Sequence, residues 1–109
     1  MTVSEFAERH GITPVVLADG DRQITGGYVG DLLSWVMGRA KSGDAWITIM
    51  SNINIAAVAA LTDVSCILLA EGVTVDENVT RVAENRGINL LSSSHTAYEL
   101  AGMLSTELS

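Results

Sequence analysis

At 109 residues the chain suffices for one domain with a real core, and 48% apolar against 17% charged residues excludes a disordered tail. Six basic residues against thirteen acidic ones leave a net charge of −7, which repels a phosphate backbone and excludes nucleic acid as the expected partner. Lys41 is the single lysine, no basic cluster exists to hold an anionic membrane, and the apolar runs break well short of a membrane span.

The lone Cys66 allows no internal disulfide and suits a reducing compartment. The opening Met1–Glu5 lacks the basic-then-apolar order of a signal peptide, so a cytoplasmic protein is expected. In chain order, residues 2–10 read as a short helix. Thr2 and Glu5 have capping-box spacing, Val3, Phe6, Ala7 and His10 share a face, and Gly11 is the stop. Pro14 begins an extended piece over Val15–Ala18 that the Asp19-Gly20 turn ends. A second short strand is expected at Gln23–Thr25, making an N-terminal strand pair.

Asp31 is placed to cap a helix through about Lys41, with Gly43 beyond its end. Its apolar stripe is Leu32, Leu33, Val36, Met37 and Ala40, spread over roughly 140° at about 100° per residue. Trp35 falls off that stripe, between the small residues Ser34 and Gly38. Either the helix is buried on two sides within one chain, or Ser34, Trp35 and Gly38 form a dimer face, since aromatic residues favour interfaces.

From Asp44 onward the chain reads as three βα units. Trp46–Met50 leads to a helix from Ser51 or Asn52 to about Asp63. Ser65–Ala70 leads to a helix from Thr74 or Asp76 to Arg86, and Ile88–Leu91 to one from Ser94 or Thr96 to near Thr106. The strands are continuous apolar runs, as in a parallel sheet covered on both faces. The Ala-rich first helix is expected to be deeply buried. The expected fold is therefore α/β: a three-layer, mostly parallel sheet from C-terminal βα units, preceded by a short helix and strand pair, in one domain over residues 1–109.

Ligands of a parallel sheet bind beyond the carboxyl ends of its strands. Those ends carry Ser51, Asn52 and Asn54, then Glu71 and Gly72, then Ser93, Ser94 and His95. They suit a small polar or anionic ligand, although helix capping alone also explains Ser, Asn and Thr at such positions. Gly26, Gly27 and Gly30 superficially resemble a phosphate loop, but their spacing fits neither a dinucleotide nor a Walker motif and no lysine follows. A turn with positive φ or close backbone packing is the simpler account. Cys66 sits in an apolar run, His10 and His95 have no acid at a motif spacing, and no metal-ligand set or paired acid and base is evident. No catalytic residue, metal or cofactor is expected.

With Asp21-Arg22, then Thr25-Gly26-Gly27-Tyr28, then Asp31-Leu32-Leu33-Ser34, the chain resembles the DRTGG domain family over roughly residues 13–105. Gly43–Ile49, Asn52-Ile53 and the Glu71-Gly72 step carry the likeness further. The resemblance implies an α/β fold related to the N-terminal domain of HPr kinase/phosphorylase. It also implies a non-catalytic regulatory role in which copies pair, with Asp21, Arg22, Thr25, Gly26, Gly27 and Asp31 as signature positions only. A homodimeric regulatory or protein-interaction module is the leading expectation. A sensor of a nucleotide or acidic metabolite at the strand ends is the alternative.

Overall fold

Local signals account for the helices at the two ends of the chain. A computed structural model covers residues 1–109. Helix α1, Val3–His10, opens on a complete capping box: Thr2 Oγ1 accepts from Glu5 N, and Glu5 Oε1 accepts from Thr2 N. It stops at Gly11 in the left-handed region, φ 65°. Strand β1 is Thr13–Val16 and β2 is Gly26–Val29, followed by α2, Leu33–Arg39. Then come β3 (Asp44–Thr48), α3 (Asn54–Thr62), β4 (Cys66–Leu69), α4 (Glu77–Arg86), β5 (Leu90–Ser92) and α5 (Ala97–Leu108).

One sheet runs in the order β1-β5-β4-β3-β2, parallel throughout except for β1, which lies antiparallel on β5. The βα alternation from β2 to β5 stacks α2, α3 and α4 on one face, while α1 and α5 cover the other. Alternation along the buried strands divides the core accordingly. Ala45, Ile47, Cys66 and Leu68 meet Phe6 of α1 and Leu100 and Leu104 of α5. Trp46, Ile67, Leu69 and Leu90 meet Val36, Ile55, Val58 and Val79 from the other three helices. The three-layer, mostly parallel α/β fold is thus present. No helix is long and apolar enough to cross a membrane.

Three local expectations are corrected. The two N-terminal strands do not pair with each other; they take opposite edges of the sheet. The second of them is Gly26–Val29, three residues later than Gln23–Thr25, and Gln23 makes only an isolated bridge to Thr2. Glycine discourages a strand reading, yet here it permits close approach. A Cβ on Gly27 would lie 2.5 Å from Leu104 Cδ2, and one on Gly26 would lie 2.7 Å from Asp44 Oδ1. None of Gly26, Gly27 and Gly30 has a positive φ.

Asp31 does not cap α2, whose N-cap is Leu32 with no side-chain bond. The carboxylate instead accepts from Thr48 Oγ1 at 2.8 Å and Ile49 N at 3.0 Å, tying down the end of β3. Finally, α3 is buried only on its inner side. Ile55, Ala56, Val58 and Ala59 are covered, but Leu61 is 70% exposed and Ala57 and Ala60 face out.

Candidate functional site

The signature residues are divided between structural tasks. Arg22 donates from one nitrogen to Asp63 Oδ1 at 2.9 Å and from the other to the Asp63 carbonyl at 2.7 Å. Asp63 ends α3 in the left-handed region, and Ser42 Oγ donates to its other carboxylate oxygen. The Arg22 bond, then that from Ser42, holds the Asp63 carboxyl below its usual range. This stabilisation is complete above the ordinary carboxylate pKa and is lost as pH falls through the lowered one. Asp21 is exposed, and Thr25 N donates to Gly43 O where β2 meets β3. Arg22 therefore clamps the amino ends of the strands, at the opposite end of the sheet from the predicted ligand positions.

At the carboxyl ends, the predicted ring of polar residues separates into two groups. Gly72, Ser93, Ser94 and His95 line one hollow of about 280 Å³, together with Gly11, Thr13, Val73, Thr74 and Ser92. Ser51, Asn52 and Asn54 lie exposed above α3 and do not line it; Asn52 Oδ1 accepts from Asn54 N at 2.9 Å. Gly11 and Thr13 join because β1 pairs antiparallel with β5, bringing Thr13 opposite Ser92. No sequence signal marks that pairing, so these two residues were not legible as part of a site.

Glu71 and Gly72 form a tight turn at the rim, with φ of 62° and 72° and Val73 N donating to Ala70 O. Positive φ at both central positions is the type I′ pattern, which favours Asn or Gly over Glu. The turn is pinned to the next loop: Glu71 N donates to His95 O, and Gly72 N to Ser93 O, both at 2.8 Å. Glu71→Asn is accordingly expected to raise stability by about 0.5–1 kcal/mol. A higher urea midpoint at unchanged slope is the check.

His95 Nδ1 lies 3.8 Å from Glu99 Oε1. That carboxylate also accepts from the Thr96 backbone N–H within the capping box of α5, chiefly for which reason its pKa is lowered. Ser93 Oγ accepts from His95 N at 2.9 Å. The hollow thus offers hydroxyls and one imidazole, and no lysine or arginine lines it. Cys66 is remote from it, fully buried in β4, where burial pushes the thiol up to about 12.

The predicted dimer face is on α2. Ser34, Trp35 and Gly38 are all exposed, Trp35 to 56%, and the Arg39 guanidinium stacks 3.6 Å from the centre of its ring. Of the predicted apolar stripe, Val36 is buried and Leu33 and Ala40 are half-buried. Leu32 and Met37 remain 59% and 45% exposed.

Comparison with known proteins completes the picture. No curated protein sequence matches the chain. Among solved structures, it is similar to the CBS and DRTGG domains of the regulatory region of Clostridium perfringens pyrophosphatase, crystallised with the activator diadenosine tetraphosphate. The TM-score is 0.74 at 13% identity, a likeness of fold. It covers 94% of this chain but 45% of that one, so the chain spans less than half of its neighbour's length. The DRTGG domain family model matches residues 29–106, beginning just after the Asp21–Gly27 stretch. Because that match takes in well over half of its residues, the chain belongs to the DRTGG domain family.

Proposed function

We propose that this chain is a non-catalytic regulatory and protein-interaction module that works as a homodimer in the cytoplasm, with α2 in the contact. The observation that carries the reading is the exposed Trp35, flanked by exposed Leu32 and Met37 and by the small residues Ser34 and Gly38. A large aromatic left on a surface helix forfeits burial that a partner restores, and such residues anchor interfaces. The regulatory role of the structural neighbour supports the same reading. Sedimentation of the wild-type chain is expected to give a dimer at micromolar concentration. Trp35→Asp is expected to give a monomer with an unchanged far-UV spectrum, because Trp35 is not part of the core. A wild-type monomer at tens of micromolar would remove the proposal.

A second reading is favoured by the hydroxyl-lined hollow at the strand ends. A small nucleotide or acidic metabolite seated there would meet Thr13, Thr74, Ser92, Ser94 and His95. The activator bound by the neighbouring regulatory region makes adenine nucleotides the first probes. A ligand at 100-fold its Kd stabilises by about 2.7 kcal/mol, well above the resolution of a thermal melt. That shift is expected to disappear in His95→Ala. Silence across nucleotides and acyl phosphates would count against this reading.

A further inference from the structure

We infer that the free edge of β2 is the seam of the dimer: two copies pair β2 to β2, antiparallel across a two-fold axis, into one continuous sheet. This rests on the homodimer reading and adds to it the surface through which the copies meet. The two edges of the sheet differ in their protection. At the β1 edge, Pro14 lacks an N–H and the register shifts between Pro14 and Val16, both of which blunt an edge. At the β2 edge, Gly26-Gly27-Tyr28-Val29 carries no proline and no charge. Thr25 N is spent on Gly43 O, so the alternation of a parallel strand turns the Gly26 and Tyr28 backbone groups away from β3.

Apolar shoulders flank that edge on both faces. On one, Val29, Ile47, Ala101, Leu104 and Leu108 line an apolar hollow of about 280 Å³ between β2 and α5. On the opposite face, where α2 packs through Val36, Leu32 just before that helix and Trp35 within it are left exposed. A stable contact covers about 800 Å² per partner, roughly a seventh of the 5479 Å² surface. Four-residue strands cannot supply that area alone, which is why both shoulders belong to the seam.

Charge selects a second copy as the occupant. Asp31 is bound to Thr48 at the carboxyl end of β3, and Lys41 O, two residues after Arg39, accepts from Asp44 N at its amino end, so along the parallel β2 the acid and the bases lie at opposite ends. Antiparallel pairing lays the Asp31 end of each copy toward the Arg39–Lys41 end of the other, twice over. The uncharged edge between them avoids the repulsion that two chains of net charge −7 would otherwise meet.

The test uses the full wild-type chain and Val29→Lys, which sets a charge on the seam. Val29→Lys is expected to raise the dimer Kd at least about tenfold with its far-UV spectrum unchanged. Independently, the wild-type Gly26 and Tyr28 amides should exchange slowly in the dimer and rapidly on dilution or in Trp35→Asp. A wild-type dimer whose Gly26 and Tyr28 amides stay fast, and which Val29→Lys leaves intact, overturns the seam while the homodimer reading stands. A wild-type monomer removes both.

Discussion

Trp46→Ala is expected to cost about 3–5 kcal/mol, a large share of the roughly 5–15 kcal/mol that holds a domain folded. Trp46 is fully buried on β3, the strand next to the β2 edge, with Tyr28 in register on one side and Ile67 on the other. It is the largest side chain of the core beneath α2, α3 and α4, so truncation leaves a cavity that three helices cannot close together. Its indole Nε1 also donates to Gly30 O at 2.9 Å, which fixes the chain where β2 gives way to α2. Trp46→Phe separates the two contributions. It keeps most of the volume but leaves Gly30 O without its donor, and about 1–3 kcal/mol of loss is expected. Urea denaturation followed by circular dichroism checks both, since a fallen midpoint at unchanged slope reports stability alone. Equal losses in the two variants would assign the whole effect to the hydrogen bond and none to packing.

Asn89→Ala is expected to be the next most damaging, at about 2–4 kcal/mol. The side chain is buried just before β5 and uses both of its ends. Nδ2 donates to Asp19 O at 2.7 Å and to Ser65 O at 3.0 Å, while Oδ1 accepts from Asp19 N at 2.8 Å. Alanine takes a partner from three backbone groups, of which Asp19 O keeps a bond from Arg22 N at 3.2 Å. Asn89→Asp is expected to destabilise as well, because a carboxylate there keeps the bond from Asp19 N but faces two carbonyl oxygens with no proton to offer. Thermal melts of both variants, with faster amide exchange at Asp19, provide the measurement. A near-neutral Asn89→Ala would mean that water replaces all three bonds.

Neither Trp46 nor Asn89 looks special in the chain: one sits in an apolar run, and the other interrupts an apolar run with an amide. What was legible was local. Thr2 with Glu5 caps the first helix as their spacing marks, Gly11 ends it in the left-handed region, and Asp76 and Thr96, each one of two starts that the chain offered, cap two more. Capping needs only residues within one turn, so the chain carries that information without its fold. The unbroken apolar runs at β3, β4 and β5 likewise announced strands covered on both faces.

The candidate site was half legible. Gly72, Ser93, Ser94 and His95 stand at strand ends that βα alternation already places together. Thr13 and Gly11 come from the far end of the chain, and Ser51, Asn52 and Asn54 fall away from the hollow. Which strand ends share one hollow depends on strand order, and strand order is a long-range property.

The same division runs through the whole protein. Fold class, the capped helices, the buried parallel strands and the family resemblance were set by the sequence alone, because periodicity, capping and turn chemistry act between near neighbours. Tertiary structure decided that β1 and β2 part to opposite edges and that a glycine pair serves as a strand. It also turned Asp31 from a helix cap into a clamp on β3 and left Trp35 outside the core. The physical reason is common to all four. Each depends on what a residue meets across the fold — Leu104 for Gly27, Thr48 for Asp31, or solvent for Trp35 — and not on the residues beside it in the chain.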